Sequence, residues 1–326
     1  MSYLEVAKIH PKLGKILEKD AKISAKVAEE FAANHGVSVD DITNLKVSPP
    51  LLLHMHRYID KIVALEENNC IPNNIEFKRF NAGNVESEWV YTPDTDEQKI
   101  LFHLFGGGYI MGNLDTRRWI ASLYMRGTNL RCLNVGYRLA PEHPYPAALE
   151  DSITVYKWLL TQDFDPQNII ICGESAGGGL AMATMLKIRE LELPMPAAAV
   201  MISPWVDLEG IGRSLRTNYK YEPTVAEGSK LMAVLYAGKK GKNDPYISPI
   251  YAELEGLPPL LFQAGGIEVI RDEVVSCAEQ AKTSGVDVTL EVYEGMTHVF
   301  QRYANKLDES MDAWKSIRNF VKKHIA

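Results

Sequence analysis

The pentapeptide Gly173-Glu174-Ser175-Ala176-Gly177 follows the apolar run Ile169-Ile170-Ile171-Cys172 and opens a helix-compatible stretch reaching about residue 191. A strand that turns into a helix over Gly-x-Ser-x-Gly holds its serine on a sharp, strained turn, with the hydroxyl projecting from the strand end. The glycines are a steric requirement, because a backbone folded so tightly leaves no room for Cβ atoms beside the serine. The pentapeptide alone is common in proteins. The strand before it and the helix after it are what give it meaning.

Around this turn, strands and helices alternate. Apolar, β-type runs fall at 131–137, 169–172, 197–203, 260–264 and 288–293, and helical patterns at 147–161, 176–191, 272–284 and 314–323. Such alternation predicts a mostly parallel sheet with helices on both faces, an α/β architecture. Three shorter strand-like runs, 75–80, 88–91 and 99–105, precede it, broken by Asn81-Ala82-Gly83-Asn84 and Pro93-Asp94.

Two regions do not fit the alternation. Residues 1–66 read as helical: Leu4, Ile9, Leu13, Ile16 and Leu17 form one apolar stripe, and Ile23, Val27 and Phe31 a second, stopped by Gly36. Pro49-Pro50 then starts a third helix through Leu51, Met55, Tyr58, Ile62 and Leu65. Residues 204–244 are too long for an ordinary strand–helix connection, and their apolar stretch 231–236 suggests a helix. The expected organisation is a sheet-based core in two parts, 67–203 and 245–326. A lid is shared between the 1–66 segment and the 204–244 insert.

Composition excludes several classes. The 326 residues include 46% hydrophobic and 24% charged side chains, the balance of a globular domain with a sizeable core. With 42 acidic against 35 basic residues and a formal charge of −7, no Lys/Arg stripe suits nucleic acid or an anionic membrane. No run approaches the roughly 18 apolar residues of a membrane span. The N-terminal residues carry charges without a continuous apolar core, so no signal peptide is expected. The four cysteines, Cys70, Cys132, Cys172 and Cys277, lack paired spacing and read as reduced thiols of a cytoplasmic protein. His54 and His56, two apart on a helix, do not share a face, so no metal pair is expected there.

Ser175 needs a base to take its proton. In a strand-turn-helix site of this kind the partners follow as acid, then histidine. His298 lies in a loop after the 288–293 strand; the other downstream histidine, His324, lies in the terminal helix. Three carboxylates compete for the acid: Glu268 comes first after the 260–264 strand, while Asp272 and Glu273 stand where a helix begins and suit its dipole. Glu268 is the preferred candidate and Asp272 the alternative. Gly106-Gly107-Gly108, after the 99–105 strand, would let backbone N–H groups approach an oxyanion.

Four separated blocks carry a family resemblance. They are Phe105-Gly106-Gly107-Gly108-Tyr109 with Gly112 and Leu114-Asp115-Thr116; Tyr137-Arg138-Leu139-Ala140-Pro141-Glu142-His143-Pro144-Tyr145-Pro146-Ala147-Ala148; the elbow extended through Gly178-Gly179-Leu180-Ala181; and Ile270-Arg271-Asp272-Glu273 with Gly295-Met296-Thr297-His298-Val299-Phe300. Over about residues 75–320 the chain resembles the hormone-sensitive-lipase-like esterases, bacterial family IV of the α/β-hydrolases. The resemblance implies the α/β-hydrolase fold with a helical cap from the N-terminal segment and the insert. It implies Ser175 as nucleophile, His298 as base and Glu268 at the acid position, with oxyanion donors from Gly107, Gly108 and Ala176. The expected activity is hydrolysis of short- to medium-chain carboxylic esters through an acyl-enzyme, with no cofactor and no metal. The expected partner is a small-molecule ester. A homodimer is compatible with the family, though no segment identifies an interface.

An amidase or deacetylase would use the same residues, and a non-catalytic ligand receptor on this scaffold would be expected to lack one of them. Two departures stand out. Phe105 occupies the place of the family's usual histidine and cannot make the polar contacts that steady the glycine loop. His103, two residues earlier on the same strand face, is either its substitute or a plain core residue. Glu268 stands where aspartate is usual, one methylene longer.

Overall fold

The computed structural model describes residues 2–39 and 48–325. Eight strands form one sheet in the order β1-β2-β4-β3-β5-β6-β7-β8. They are β1 (Glu76–Ala82), β2 (Val85–Tyr91), β3 (Asp96–Leu104), β4 (Leu130–Val135), β5 (Ile169–Glu174), β6 (Ala198–Ile202), β7 (Leu260–Gly265) and β8 (Val288–Tyr293). β1–β2 and β2–β4 pair antiparallel, and every other neighbouring pair is parallel. This is the α/β-hydrolase fold.

Burial explains why the central strands read as continuous apolar runs. Every residue of β5 and β6 is buried, because helices cover both faces. On one face lie α5 (Ala147–Thr161), α6 (Ala176–Glu190) and α9 (Arg271–Thr283), packed on Ile169, Ile171, Met201 and Phe262. On the other lie α4 (Arg118–Thr128) and α10 (Asp308–His324), packed on Leu101, Ile170, Val200 and Leu261. Each fully buried Ile or Leu contributes about 1.5–3 kcal/mol of transfer free energy, so this sheet is the rigid base of the molecule. Cys132, Cys172 and Cys277 are buried free thiols, and Cys70 is exposed.

Two differences from expectation concern helices. The apolar stripes at 4–17 and 23–31 do not mark two helices divided between them. Instead α1 (Ser2–Ile9) breaks at His10, and α2 (Pro11–His35) runs unbroken to Gly36. Pro11 lacks the N–H a continuing helix would need, and it suits the first turn of a new one. His10 caps that turn, its Nδ1 accepting from Leu13 N at 3.1 Å. The second difference is α4, a helix between β3 and β4 where the sequence suggested none. Its run 119–125 is short, apolar and almost wholly buried, a pattern that fits a strand as well as a helix.

The third N-terminal helix, α3, spans Pro49–Asn68 as its paired prolines suggested. Residues 40–47 of the 1–66 segment lie outside the described residues. Between β6 and β7, the 204–244 insert carries α7 (Ser214–Thr217) and α8 (Pro223–Ala237), the latter extending the helix expected at 231–236. Among the described residues, no helix is long and apolar enough to cross a membrane.

Candidate active site

Four loops meet at the carboxyl ends of the parallel strands, where ligands of open α/β sheets collect. The loop after β3 carries the three glycines, the turn after β5 carries Ser175, the loop after β7 carries Glu268, and the loop after β8 carries His298.

Ser175 has φ 55° and ψ −125°, a strained conformation for a residue with a side chain. The turn is closed enough that a Cβ on Gly177 would sit 1.9 Å from the Leu104 carbonyl oxygen. Only glycine fits at that position. The strain aims the Ser175 hydroxyl at His298, whose Nε2 lies 2.9 Å from Oγ. On the other side of the ring, His298 Nδ1 is 3.2 Å from Glu268 Oε2. Serine, imidazole and carboxylate thus form one hydrogen-bonded line from three separate strand ends. Burial disfavours the imidazolium, but the hydrogen bond and charge of Glu268, joined by Glu222, outweigh it and hold the His298 pKa above the ordinary histidine value.

The alternative carboxylates are engaged elsewhere. Asp272 accepts from Ser214 N at 3.0 Å and pairs with Arg271 at 2.7 Å. Glu273 is buried and accepts from the amides of Val206 and Asp207 at 3.0 and 3.2 Å. Burial, helped by the nearby charge of Asp207, pushes its pKa well above the usual carboxylate range.

The glycine loop passes directly over the serine. A Cβ on Gly106 would come within 3.2 Å of Ser175 Cβ. Gly107 has φ 135°, which favours glycine, and a Cβ there would meet the Met111 carbonyl at 2.3 Å. Ala176 begins α6, so its N–H belongs to the first helical turn, which has no intrahelical acceptor. Gly107, Gly108 and Ser175 line a single cavity of about 440 Å³, together with His298, Trp205, Met232 and Arg302. Tyr3, Leu17, Asp60 and Glu67 of the N-terminal helices also border it. Trp119 and Trp205 are both buried and both face this space.

Phe105 does not leave the loop unsupported. Its ring stacks on Tyr137 with centroids 4.4 Å apart, and Tyr137 Oη donates to the Phe105 carbonyl at 2.5 Å. The polar hold comes from Glu174, the residue between the elbow glycine and Ser175. Its Oε1 accepts from Gly106 N at 2.6 Å, and its Oε2 lies 2.9 Å from His103 Nε2. His103 is fully buried and its Nδ1 meets Asn134 Oδ1 at 3.1 Å. Arg117 Nε completes the arrangement by donating to the Gly106 carbonyl at 3.0 Å. His103 is therefore both a core residue and part of the loop's support. Sequence reasoning raised it but passed over Glu174, because the contact spans 68 positions in the chain.

Comparison with known proteins agrees with this geometry. A family model described as the alpha/beta hydrolase fold matches residues 101–302. The chain belongs to the hormone-sensitive-lipase-like carboxylesterases of the α/β-hydrolase fold. It is 36% identical over 233 residues to an acetyl-hydrolase of Streptomyces hygroscopicus, covering 71% of this chain and 77% of that one. It is 34% identical over 230 residues to an esterase of Acinetobacter venetianus, covering 68% and 74%. Among solved structures, an esterase from the bacterial hormone-sensitive lipase family superposes with a TM-score of 0.81 at 35% identity, over 94% of this chain and 99% of that one. A variant of the esterase E40 gives 0.82 at 36% identity, over 97% and 99%. Members of this family act on small-molecule esters, and the cavity over Ser175 is of a size for such a ligand.

Proposed function

We propose that this carboxylesterase cleaves its ester through Ser175, with His298 as general base and Glu268 as the orienting acid. The observation that carries the reading is the unbroken line Glu268–His298–Ser175, at 3.2 and 2.9 Å, beneath the glycine loop. His298 Nε2 takes the hydroxyl proton as Oγ attacks the ester carbonyl carbon. Glu268 holds the imidazole with Nδ1–H toward it and stabilises the imidazolium without taking the proton. The amides of Gly107, Gly108 and Ala176 receive the oxyanion, and each such donor typically contributes about 2.7–4 kcal/mol to the transition state. The tetrahedral intermediate collapses as His298 gives its proton to the leaving alcohol. Water, deprotonated by the same nitrogen, then releases the acid and restores Ser175. Every step uses this chain's own groups.

The described parts of residues 1–66, with the insert 204–244, form the cap in this reading, supported by the placing of Tyr3, Leu17, Glu222 and Met232 around the cavity. Short- to medium-chain acyl groups are the favoured substrates, consistent at the short end with the name acetyl-hydrolase borne by a relative, and a cytoplasmic location fits the free thiols. A panel of p-nitrophenyl esters of graded acyl length, run on the wild type and Ser175→Ala, tests the assignment. Turnover is expected for the shorter esters and should be absent in the variant. Equal turnover in both would refute it.

A further inference from the structure

The insert does more than cover the cavity. Glu222, immediately before α8, is only 8% exposed, yet among the described residues its carboxylate meets no cationic side chain by salt bridge or hydrogen bond. It accepts from two main-chain amides on two different loops. Oε1 receives His298 N at 2.6 Å and Oε2 receives Val269 N at 2.9 Å. One carboxylate therefore spans the histidine loop and the loop that carries Glu268.

Glu268 needs such a tie. It is fully buried, its Oε2 touches His298, and its Oε1 has no hydrogen-bond partner among the described residues. Among the described residues no other side chain fixes the direction of that carboxylate, so the 3.2 Å contact depends on how far apart the two loops stand, a distance that Ile267 N on the Met296 carbonyl (3.0 Å) and Glu222 both constrain. The insert fixes the acid loop at further points: Asn218 Nδ2 donates to the Glu268 carbonyl at 2.9 Å, and Ser214 Oγ to the Val269 carbonyl at 2.8 Å.

We infer that Glu222 is a positioning residue, which sets the separation of the acid and histidine loops and adds a second negative charge behind His298. The inference rests on the roles proposed above for His298 and Glu268. The charged and titratable groups facing His298 are Glu268 from the loop after β7, Glu222 from the insert, and Arg302 from the turn Phe300–Tyr303 that follows His298. Arg302 is paired with Glu67 of α3 at 2.7 Å. The Glu222 carboxyl is raised to about 7, because burial and the Glu268 charge push it up and the His298 charge and the two amide hydrogen bonds offset them only in part. The Glu222 anion in turn raises the His298 pKa.

Glu222→Gln keeps the shape but offers one acceptor oxygen for two amides, and turns an NH2 donor toward the other N–H. It should lower kcat by up to about a hundredfold, the usual cost of misplacing a catalytic group by an ångström, with KM changed little. It should also move the acid limb of the kcat/KM profile to lower pH, because removing the anion lowers the pKa at which His298 becomes the neutral base. Glu222→Asp retains the charge and should restore part of kcat and most of the limb's position. A residue that merely braces the fold would not move that limb. Wild-type kcat and an unshifted limb in Glu222→Gln would overturn the inference, as would a loss confined to KM. Should Glu222→Gln fail to accumulate, the same two readouts in Glu222→Asp decide: both unchanged from Glu222→Ala would overturn it. Ser175→Ala and His298→Ala are run alongside. If they remain active, the underlying assignment fails; if they are dead and Glu222→Gln behaves as wild type, only this inference fails.

Discussion

The two halves of the proposed site are held in place from opposite directions. The nucleophile half, Ser175 and the glycine loop, is braced mainly from within the sheet: His103 on β3 and Glu174 at the end of β5 fix Gly106, and Tyr137 fixes the Phe105 carbonyl. The acid–base half, whose loops are joined by Ile267 N to the Met296 carbonyl at 3.0 Å and held to the core by Val299 N on Ser203 Oγ at 3.1 Å, takes its side-chain bracing largely from outside the sheet. Ser214, Asn218 and Glu222 of the insert hold the loops of Glu268 and His298. Where the insert reaches the nucleophile half, its side-chain contacts are apolar, beside one main-chain bond from Trp205 N to the Ser175 carbonyl at 2.9 Å: Tyr236 stacks on Tyr109 at 3.6 Å, and a Cβ on Gly108 would meet Met232 Sδ at 2.1 Å. In this reading the oxyanion cradle rests mainly on the rigid core, with Arg117 tied to Asp60 of α3 at 2.6 Å as a link outward, whereas the proton relay leans on a peripheral element. Changes in the insert should act on proton transfer first.

The largest expected effect does not distinguish the halves but tests the site they share. Ser175→Ala should lose on the order of a million-fold in kcat, with thermal unfolding unchanged, by analogy with other serine hydrolases. In the acid–base half, Glu268→Gln should cost up to about ten-thousand-fold in kcat, the effect of losing the carboxylate that sets a histidine tautomer. Asp272→Asn should stay within a few fold, since its partners are Ser214 and Arg271; steady-state kinetics on the pair separates them. The reverse order would move the acid to Asp272.

In the nucleophile half, Glu174→Gln weakens the hold on Gly106 N. Its kcat should fall by less than the roughly hundred- to thousandfold that removal of a whole oxyanion donor costs. KM and the acid limb of the pH profile should not move, in contrast to Glu222→Gln. A shifted limb would show that the two halves are not independently supported.

The pH profile of the wild type supplies a milder test. His298 must be neutral to accept a proton, and its environment raises its pKa above the ordinary histidine value of 6.5. Activity should therefore fall as pH drops through a midpoint above that value. A midpoint below it would mean that burial, and not the carboxylates, dominates the ring. The smallest effect is expected at Met232→Ala, which opens space beside Gly108. The preference for longer over shorter acyl esters should rise by about tenfold or less, a methylene-scale effect.

Much of this was legible in the sequence where chemistry sits at strand ends. Ser175 and His298 could be picked out for the proposed roles because each follows an apolar run with β spacing and because chain order limits the choice of partner. Glu268 was harder, since three carboxylates share its loop, and only the fold shows Asp272 and Glu273 turned toward the insert. Glu174 and Glu222 were not legible. Each acts on a backbone amide dozens of residues away, and neither periodicity nor a local motif encodes such a contact. The N-terminal helices show the same limit in milder form. Gly36 ended its helix as expected, with φ 65°, but Pro11 rather than a gap in the apolar stripe set the earlier break. Stripes report which face is buried, and they say little about where an amide hydrogen is missing.

Covalent capture tests the central claim most directly. The wild type is mixed with a p-nitrophenyl phosphonate and digested, and the labelled peptide is identified by mass spectrometry. One phosphonyl group per chain is expected, on the peptide containing Ser175, with no label in Ser175→Ala and slow labelling in His298→Ala. A stoichiometric label on any other residue, or undiminished labelling of the Ser175→Ala chain, would contradict the account.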